Sequence, residues 1–196
     1  MTDNTPTTEN LNSLGNQFLI AMPSLNNSFF SHTITLMCNH DSEGAMGLVI
    51  NQPLEDVQLA DIYSQLGIDN SELASHAETT VMCGGPVSPE RGFVLHSADS
   101  EWNSTLSVSD DISLTASQDI LHAIAAGKGP EKFLVMLGYA GWDANQLEDE
   151  IADNAWLTSA ADSDIVFDTP AEHRWAAASA NLGINLDLIP NAPGHA

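Results

Sequence analysis

The chain has 196 residues and carries 27 Asp and Glu against 4 Lys and Arg, a formal net charge of -23. A salt-sensitive nucleic-acid binder makes about 6–10 phosphate contacts, and an anionic lipid surface gains on the order of 1 kcal/mol from each basic residue near it. Arg91, Lys128, Lys132 and Arg174 cannot supply either, so no direct nucleic-acid partner and no membrane partner is expected.

Hydrophobic residues make up 43% of the chain and charged ones only 16%, so the net charge reflects missing cations, and one packed core is expected rather than a disordered acidic chain. The surplus of acids reads as adaptation to a saline or cold cytoplasm.

The first residues, MTDNTPTTENLN, are rich in Thr and Asn without an apolar period, and a disordered tail is expected over 1–13. A single domain then runs over 14–189, with a short tail at 190–196. Phe18 to Met22 is an apolar run stopped by Pro23 and reads as a strand. His32, Ile34, Leu36 and Cys38 alternate along a second. The turn Asp41-Ser42-Glu43-Gly44 leads into a third strand over Ala45 to Asn51, closed by Pro53, and the two form a hairpin. Leu59, Ile62, Tyr63 and Leu66 repeat at helical spacing, which predicts a helix over 56–66 ending at Gly67.

Strands are expected at Thr79 to Cys83, Gly92 to His96, Thr105 to Val108 and Ile112 to Leu114. Thr115 and Gln118 have capping-box spacing ahead of a helix carrying Ile120, Leu121 and Ile124 to Gly127. Phe133 to Leu137 is a continuous apolar run, the mark of a buried central strand. Asp143 to Gln146 again has cap spacing before a helix with Leu147 and Ile151. Ile165 to Phe167 reads as the last strand, and Thr169-Pro170-Ala171-Glu172 opens a final helix with Thr169 as its cap, running to Gly183. About four helices and seven or eight strands in mixed order indicate one α+β, mixed α/β domain.

The residues that carry chemistry are few. His32 and His40 flank one strand near Asp41 but match no tight ligand spacing, so no metal or cofactor is expected. No G-x-S-x-G elbow is present, and Cys38 and Cys83 sit inside strands, where a thiol is usually inert; no catalytic residue is assigned. The two cysteines lie 45 positions apart, outside any C-x-x-C spacing. With no apolar leader at the start and no apolar run near the roughly 20 residues a bilayer needs, the expectation is a cytoplasmic protein with reduced thiols.

Cys83-Gly84-Gly85-Pro86-Val87 followed by Arg91 has two readings. Nested backbone amides and a guanidinium can hold a carboxylate or phosphate; the plainer and favoured reading is a tight turn whose arginine pairs with an acid. Gly138-Tyr139-Ala140-Gly141-Trp142 places aromatics between glycines after the buried strand. Trp142, Trp156 and Trp175 are candidates for one aromatic patch, as a ligand shelf or, more simply, as core anchors. The acids over 148–153 read as a solvated helix face, with contact to a basic partner as the alternative.

Five strings, LIAMP at 19–23, HDSEGAMGLVINQP at 40–53, GGPV at 84–87, RGFVLH at 91–96 and GYAGW…QLEDEI…NAWL at 138–157, make the chain resemble the bacterial YqgE/AlgH family over about 14–189. The resemblance implies a single mixed α/β domain around a partly barrel-like sheet. Members are commonly labelled transcriptional regulators through a link with alginate regulation in pseudomonads, and the resemblance brings no reaction or catalytic residue with it. Gly44, Gly47, Asn51, Gly84, Gly85, Pro86, Arg91, Gly92, Gly138, Gly141 and Trp142 match its motif positions. The chain departs at Ala144-Asn145, where members more usually have a glycine before Gln-Leu-Glu.

Two functions are compatible with these residues. One is a regulator or adaptor that acts through a protein partner without gripping DNA. The other is a small-molecule (anion) binding protein or an enzyme using the loops around Gly84–Arg91 and Gly138–Trp142, with Gly84, Gly85, Arg91, His96 and Trp142 as the candidate ligand-binding residues.

Overall fold

Phe18 and Ile20 of the first strand belong to one apolar cluster, Leu19 and Ala21 to another, and all four are buried. A strand whose alternate side chains are both covered lies in a sheet packed on two faces. The computed structural model describes residues 13–68 and 75–184. Most of the tails read over 1–13 and 190–196 lies outside these; Ser13 is inside, and its hydroxyl donates to the His40 carbonyl.

In chain order the strands are β1 (Gln17–Ala21), β2 (Ile34–Asp41), β3 (Gly44–Val49), β4 (Pro53–Gln58), β5 (Thr80–Cys83), β6 (Val87–Ser97), β7 (Thr105–Ser107), β8 (Ile112–Thr115), β9 (Phe133–Asp143) and β10 (Trp156–Ala160). The helices are α1 (Leu59–Leu66), α2 (Asp119–Ala125), α3 (Gln146–Ala152), α4 (Ser163–Phe167) and α5 (Ala171–Asn181). The sheet runs β10-β1-β2-β3-β9-β6-β8-β7, with β4 and β5 branching from β9. Among the described residues only the β5–β9 pair is parallel, which makes the sheet mixed. It also curls. Asn16, Ala161 and Ser163 at one end of the order and Ser109 to Ile112 at the other line a common crevice, so the two ends approach as a half-barrel.

Three apolar clusters fill the fold. Phe18, Leu36, Leu48, Phe93, Leu95 and Met136 face α4 and α5, which contribute Ile165, Val166, Trp175 and Ala178. On the other face, Val81, Val94 and Val135 meet α1 and α2, and Leu19, Met37 and Ala140 meet Trp142, Trp156 and Leu147 of α3. β9 ties the halves together, pairing with β6 on one edge and with β5 and then β3 on the other.

The α+β architecture read from the sequence is the one found, and the β2–β3 hairpin, α1 with its left-handed Gly67 cap, the buried β9 and α5 all lie where expected. Several details differ. Ile165–Phe167 is not a strand but the body of α4, because the Asp162 side chain accepts from the Asp164 amide and caps a short helix. The missing strand is β10, half-buried and antiparallel to β1. Pro53 opens β4 rather than ending the region, as proline can at the first residue of a strand. β2 starts at Ile34, since His32 takes a left-handed backbone with φ 56°.

Neither proposed cap at Thr115 or Thr169 forms. Thr115 ends β8 with its hydroxyl held by other side chains, and the Thr169 hydroxyl donates to the Asp164 carbonyl at 3.2 Å. At the departure from the family pattern, Asn145 adopts φ 65°, a conformation asparagine tolerates better than most residues, and starts α3 without a glycine.

Candidate functional site

Gly84 and Gly85 leave β5 and cross the backbone of β9. A Cβ on Gly85 would stand 2.1 Å from the Tyr139 carbonyl carbon, and one on Gly138 would stand 2.4 Å from the Gly85 carbonyl oxygen. The two glycine-rich motifs therefore converge, but as main chain against main chain. Gly85 has φ 155° and Gly138 φ 72°, which side-chain-bearing residues rarely adopt.

β6 emerges from this crossing and bulges before Gly92, with Ser88 at φ 46°. The Arg91 guanidinium carbon sits 5.0 Å from the centre of the Phe93 ring, a cation–π contact, and Phe93 meets Tyr139 edge-on at 6.0 Å. Arg91 is exposed and forms no ion pair with a described residue.

Beside it lies a cleft of about 210 Å³ between α1, the β8–α2 junction and the middle of the sheet. Gly92, Val94, Val135 and Leu137 are among the residues lining it; Ile62 and Leu66 line it from α1 and Leu121 from α2, with Gln65, Glu90, Ser117 and Gln118 as polar neighbours. Space stands open over Gly92, where a Cβ would meet nothing within 4 Å. Of the five residues singled out from the sequence, only Arg91 lines it.

His96 is wholly buried. One ring nitrogen, Nδ1, lies 2.8 Å from the Ser97 carbonyl, which can only accept, so Nδ1 carries the hydrogen. Nε2 then accepts from the Thr115 hydroxyl at 2.9 Å, and Thr115 lies 2.7 Å from the Thr105 hydroxyl. Burial pushes the imidazole below its ordinary value, with Asp99 opposing. Thr115 also lines the cleft, so this hydrogen-bonded chain supports its floor.

Trp142 belongs elsewhere. It packs edge-on with Trp156 at 6.1 Å, and Phe30 stacks on it at 6.2 Å. Trp175 does not join them: its indole nitrogen donates to the Ala21 carbonyl at 3.2 Å, and its ring, part of the cluster under α4 and α5, lies against the exposed His32. The acidic face of α3 is not wholly solvated either. Oε2 of Glu150 accepts both indole N–H groups, from Trp142 at 2.9 Å and Trp156 at 2.8 Å. Two tryptophans flanking an acidic helix were the signal in the sequence, since buried indoles need acceptors.

His32 and His40, which match no ligand spacing, have other partners, the Ser31 hydroxyl lying 3.0 Å from Nδ1 of His32. Nδ1 of His40 accepts from the Leu14 amide at 2.9 Å and Nε2 lies 2.9 Å from Glu148. Among the described residues no group of three or more His, Cys, Asp or Glu is placed to hold a metal, and no helix is long and apolar enough to cross a membrane.

The AlgH-like family model matches residues 18–187 of this chain. A UPF0301 protein of Saccharophagus degradans is 51% identical over 184 residues, covering 94% of this chain and 89% of its own length. One from Thioalkalivibrio sulfidiphilus is 52% identical over 181 residues, 92% of this chain and 96% of its own. The solution structure of the AlgH protein from Pseudomonas aeruginosa superposes over 100% of both chains with a TM-score of 0.78 and 47% identity. A crystal structure from Corynebacterium diphtheriae, covering 96% of this chain and 93% of its own, shares the fold at a TM-score of 0.70 with 16% identity.

Proposed function

The chain belongs to the AlgH-like family, and from that premise we propose that it is a regulator or adaptor acting in the cytoplasm through protein contacts, without gripping DNA itself. What carries this reading is the fate of its four cations. Arg174 is 5% exposed, and its guanidinium donates to the carbonyls of Ile50 and Thr169. Lys132 is paired with Asp168 at 2.6 Å. Arg91 lies exposed over the Phe93 ring, which leaves it and Lys128 as two isolated cations on an acidic surface. Unpaired Cys38 and Cys83 fit a reducing compartment.

The alternative, an anion site or enzyme centre on the glycine loops, draws its support from Arg91 at the edge of the cleft. A mobility-shift assay at about 0.15 M salt tests the first reading, with no shift of chromosomal fragments as the expected result. Specific, tight binding would sink it. Crosslinking in cells followed by mass spectrometry is expected to recover a discrete protein partner; its absence, together with stabilisation by anionic metabolites in a thermal-shift screen, favours the alternative.

A further inference from the structure

β6 is 11 residues long, but β8 pairs with it only from Val94 to Ser97. On that edge the stretch before Val94 has no strand partner among the described residues, while its other edge meets β9 at Val87 and again from Gly92, with 88–91 bulging out of register between them. The bulge at Ser88 and the amide-free Pro89 guard the first part, as edges usually are guarded. Glu90 and Arg91, the last residues of the bulge, are exposed, and Gly92 and Phe93 resume the ladder with β9 while their β8-side edge stays open. β8 turns away after Thr115, and the cleft opens in the gap it leaves, with β6 from Glu90 to Val94 on one side and Thr115 to Gln118 on the other. An open strand edge and an apolar hole beside it are the two components of strand-addition recognition, in which backbone hydrogen bonds hold a peptide and a pocket selects one of its side chains.

We propose that this edge binds an extended segment of a partner protein, added to β6 where β8 leaves off, with one apolar side chain in the Gly92 cleft and Lys or Arg flanking it. The inference rests on the protein-contact reading above and names the surface and the partner's chemistry. The charge follows from the net -23 of the chain, since among the residues lining the cleft Glu90 and Arg91 balance one another. The same repulsion disfavours a second copy as occupant. The apolar anchor follows from the floor of Val94, Val135 and Leu137 and from Leu66, a lip residue left 38% exposed.

The test is selection of a randomised 12-residue peptide display library against the full chain, followed by titration of a selected synthetic peptide into isotope-labelled protein. The expected binder has one large apolar residue between basic ones, shifts the amides of residues 90–93 and 115–118, and slows hydrogen exchange at 90–93. Gly92→Leu, which fills the cleft, and Leu66→Arg, which repels the basic flanks, are each expected to weaken it at least tenfold while the thermal midpoint stays within a few degrees. The peptide N-methylated at alternate residues is expected to lose binding as well.

Failure to select a binder, equal binding of the N-methylated peptide, or indifference to both substitutions overturns the proposal. So does concentration-dependent self-association that shifts the same amides. Binders whose shifts map elsewhere overturn this site and leave the protein-contact reading intact, which crosslinking in cells decides separately.

Discussion

Gly85 and Gly138 meet where two strands cross, so close that neither has room for a β-carbon: one on Gly138 would lie 2.4 Å from the Gly85 carbonyl oxygen. Gly85→Ala and Gly138→Ala each combine a backbone collision with an unfavourable φ, and a loss of at least about 3 kcal/mol is expected from urea unfolding. Gly92→Ala is the contrast. It has open space and an ordinary strand backbone, and the expected change is zero to about 1 kcal/mol of stabilisation from a less flexible unfolded chain. Equal losses at all three positions would show that the crossing is less tight than described.

Glu150 is the acceptor for two buried indoles. Glu150→Ala leaves both N–H groups without it, and a loss of about 2–6 kcal/mol is expected from about 1–3 kcal/mol per orphaned group. Glu150→Gln keeps a carbonyl acceptor and recovers part of that. Tryptophan fluorescence during unfolding follows both variants; an alanine variant as stable as the parent refutes the role.

Burial holds the His96 imidazole below its ordinary 6.5, while the unfolded chain titrates near that value. Below about pH 6.5 the unfolded state therefore binds the proton more readily, and stability falls as the pH drops toward the lower folded value. Protonation would also place a hydrogen on the nitrogen that accepts from Thr115. Denaturant midpoints between pH 7.5 and 5 are expected to decline for the parent and to flatten for His96→Gln. A parent whose midpoint varies with pH in the same way as that of His96→Gln contradicts the assignment.

The two thiols differ in environment. Burial pushes Cys38 up to about 12, whereas Cys83 is half-buried. A thiol-specific reagent applied to the native protein is expected to modify Cys83 first and Cys38 only on unfolding, read by peptide mass mapping.

A chain with a net charge of -23 repels itself, and screening relieves part of that cost. The thermal midpoint is expected to rise from low to high sodium chloride. A flat response would mean that the acids are spaced too widely for their repulsion to matter.

Where an element owed its form to its own residues, the sequence was legible. Leu59, Ile62 and Tyr63 are the buried stripe of α1, and the run from Phe133 does lie at the centre of the sheet. Short apolar runs were not. Ile165–Phe167 is helical because of a cap at Asp162, outside the run, and β10 has no strong alternation because most of its residues are only half-covered. Arg91 was found as a lone cation after a glycine turn, and His96 as a histidine ending an apolar strand. The cleft itself was hidden. Its openness depends on what is absent beside Gly92 and on where β8 stops pairing, and both are set by residues distant in the chain.

β9 borders β3, β5 and β6, which precede it in the chain by between about 40 and 100 positions. A chain made from its amino terminus can close the β2–β3 and β6–β8 pairings early, yet their shared neighbour is among the last strands to be synthesised. Until Asp143 has been added, each half presents an unsatisfied edge to the cell. The nascent protein is thus most exposed to aggregation and to chaperones over the interval between its middle and its final third.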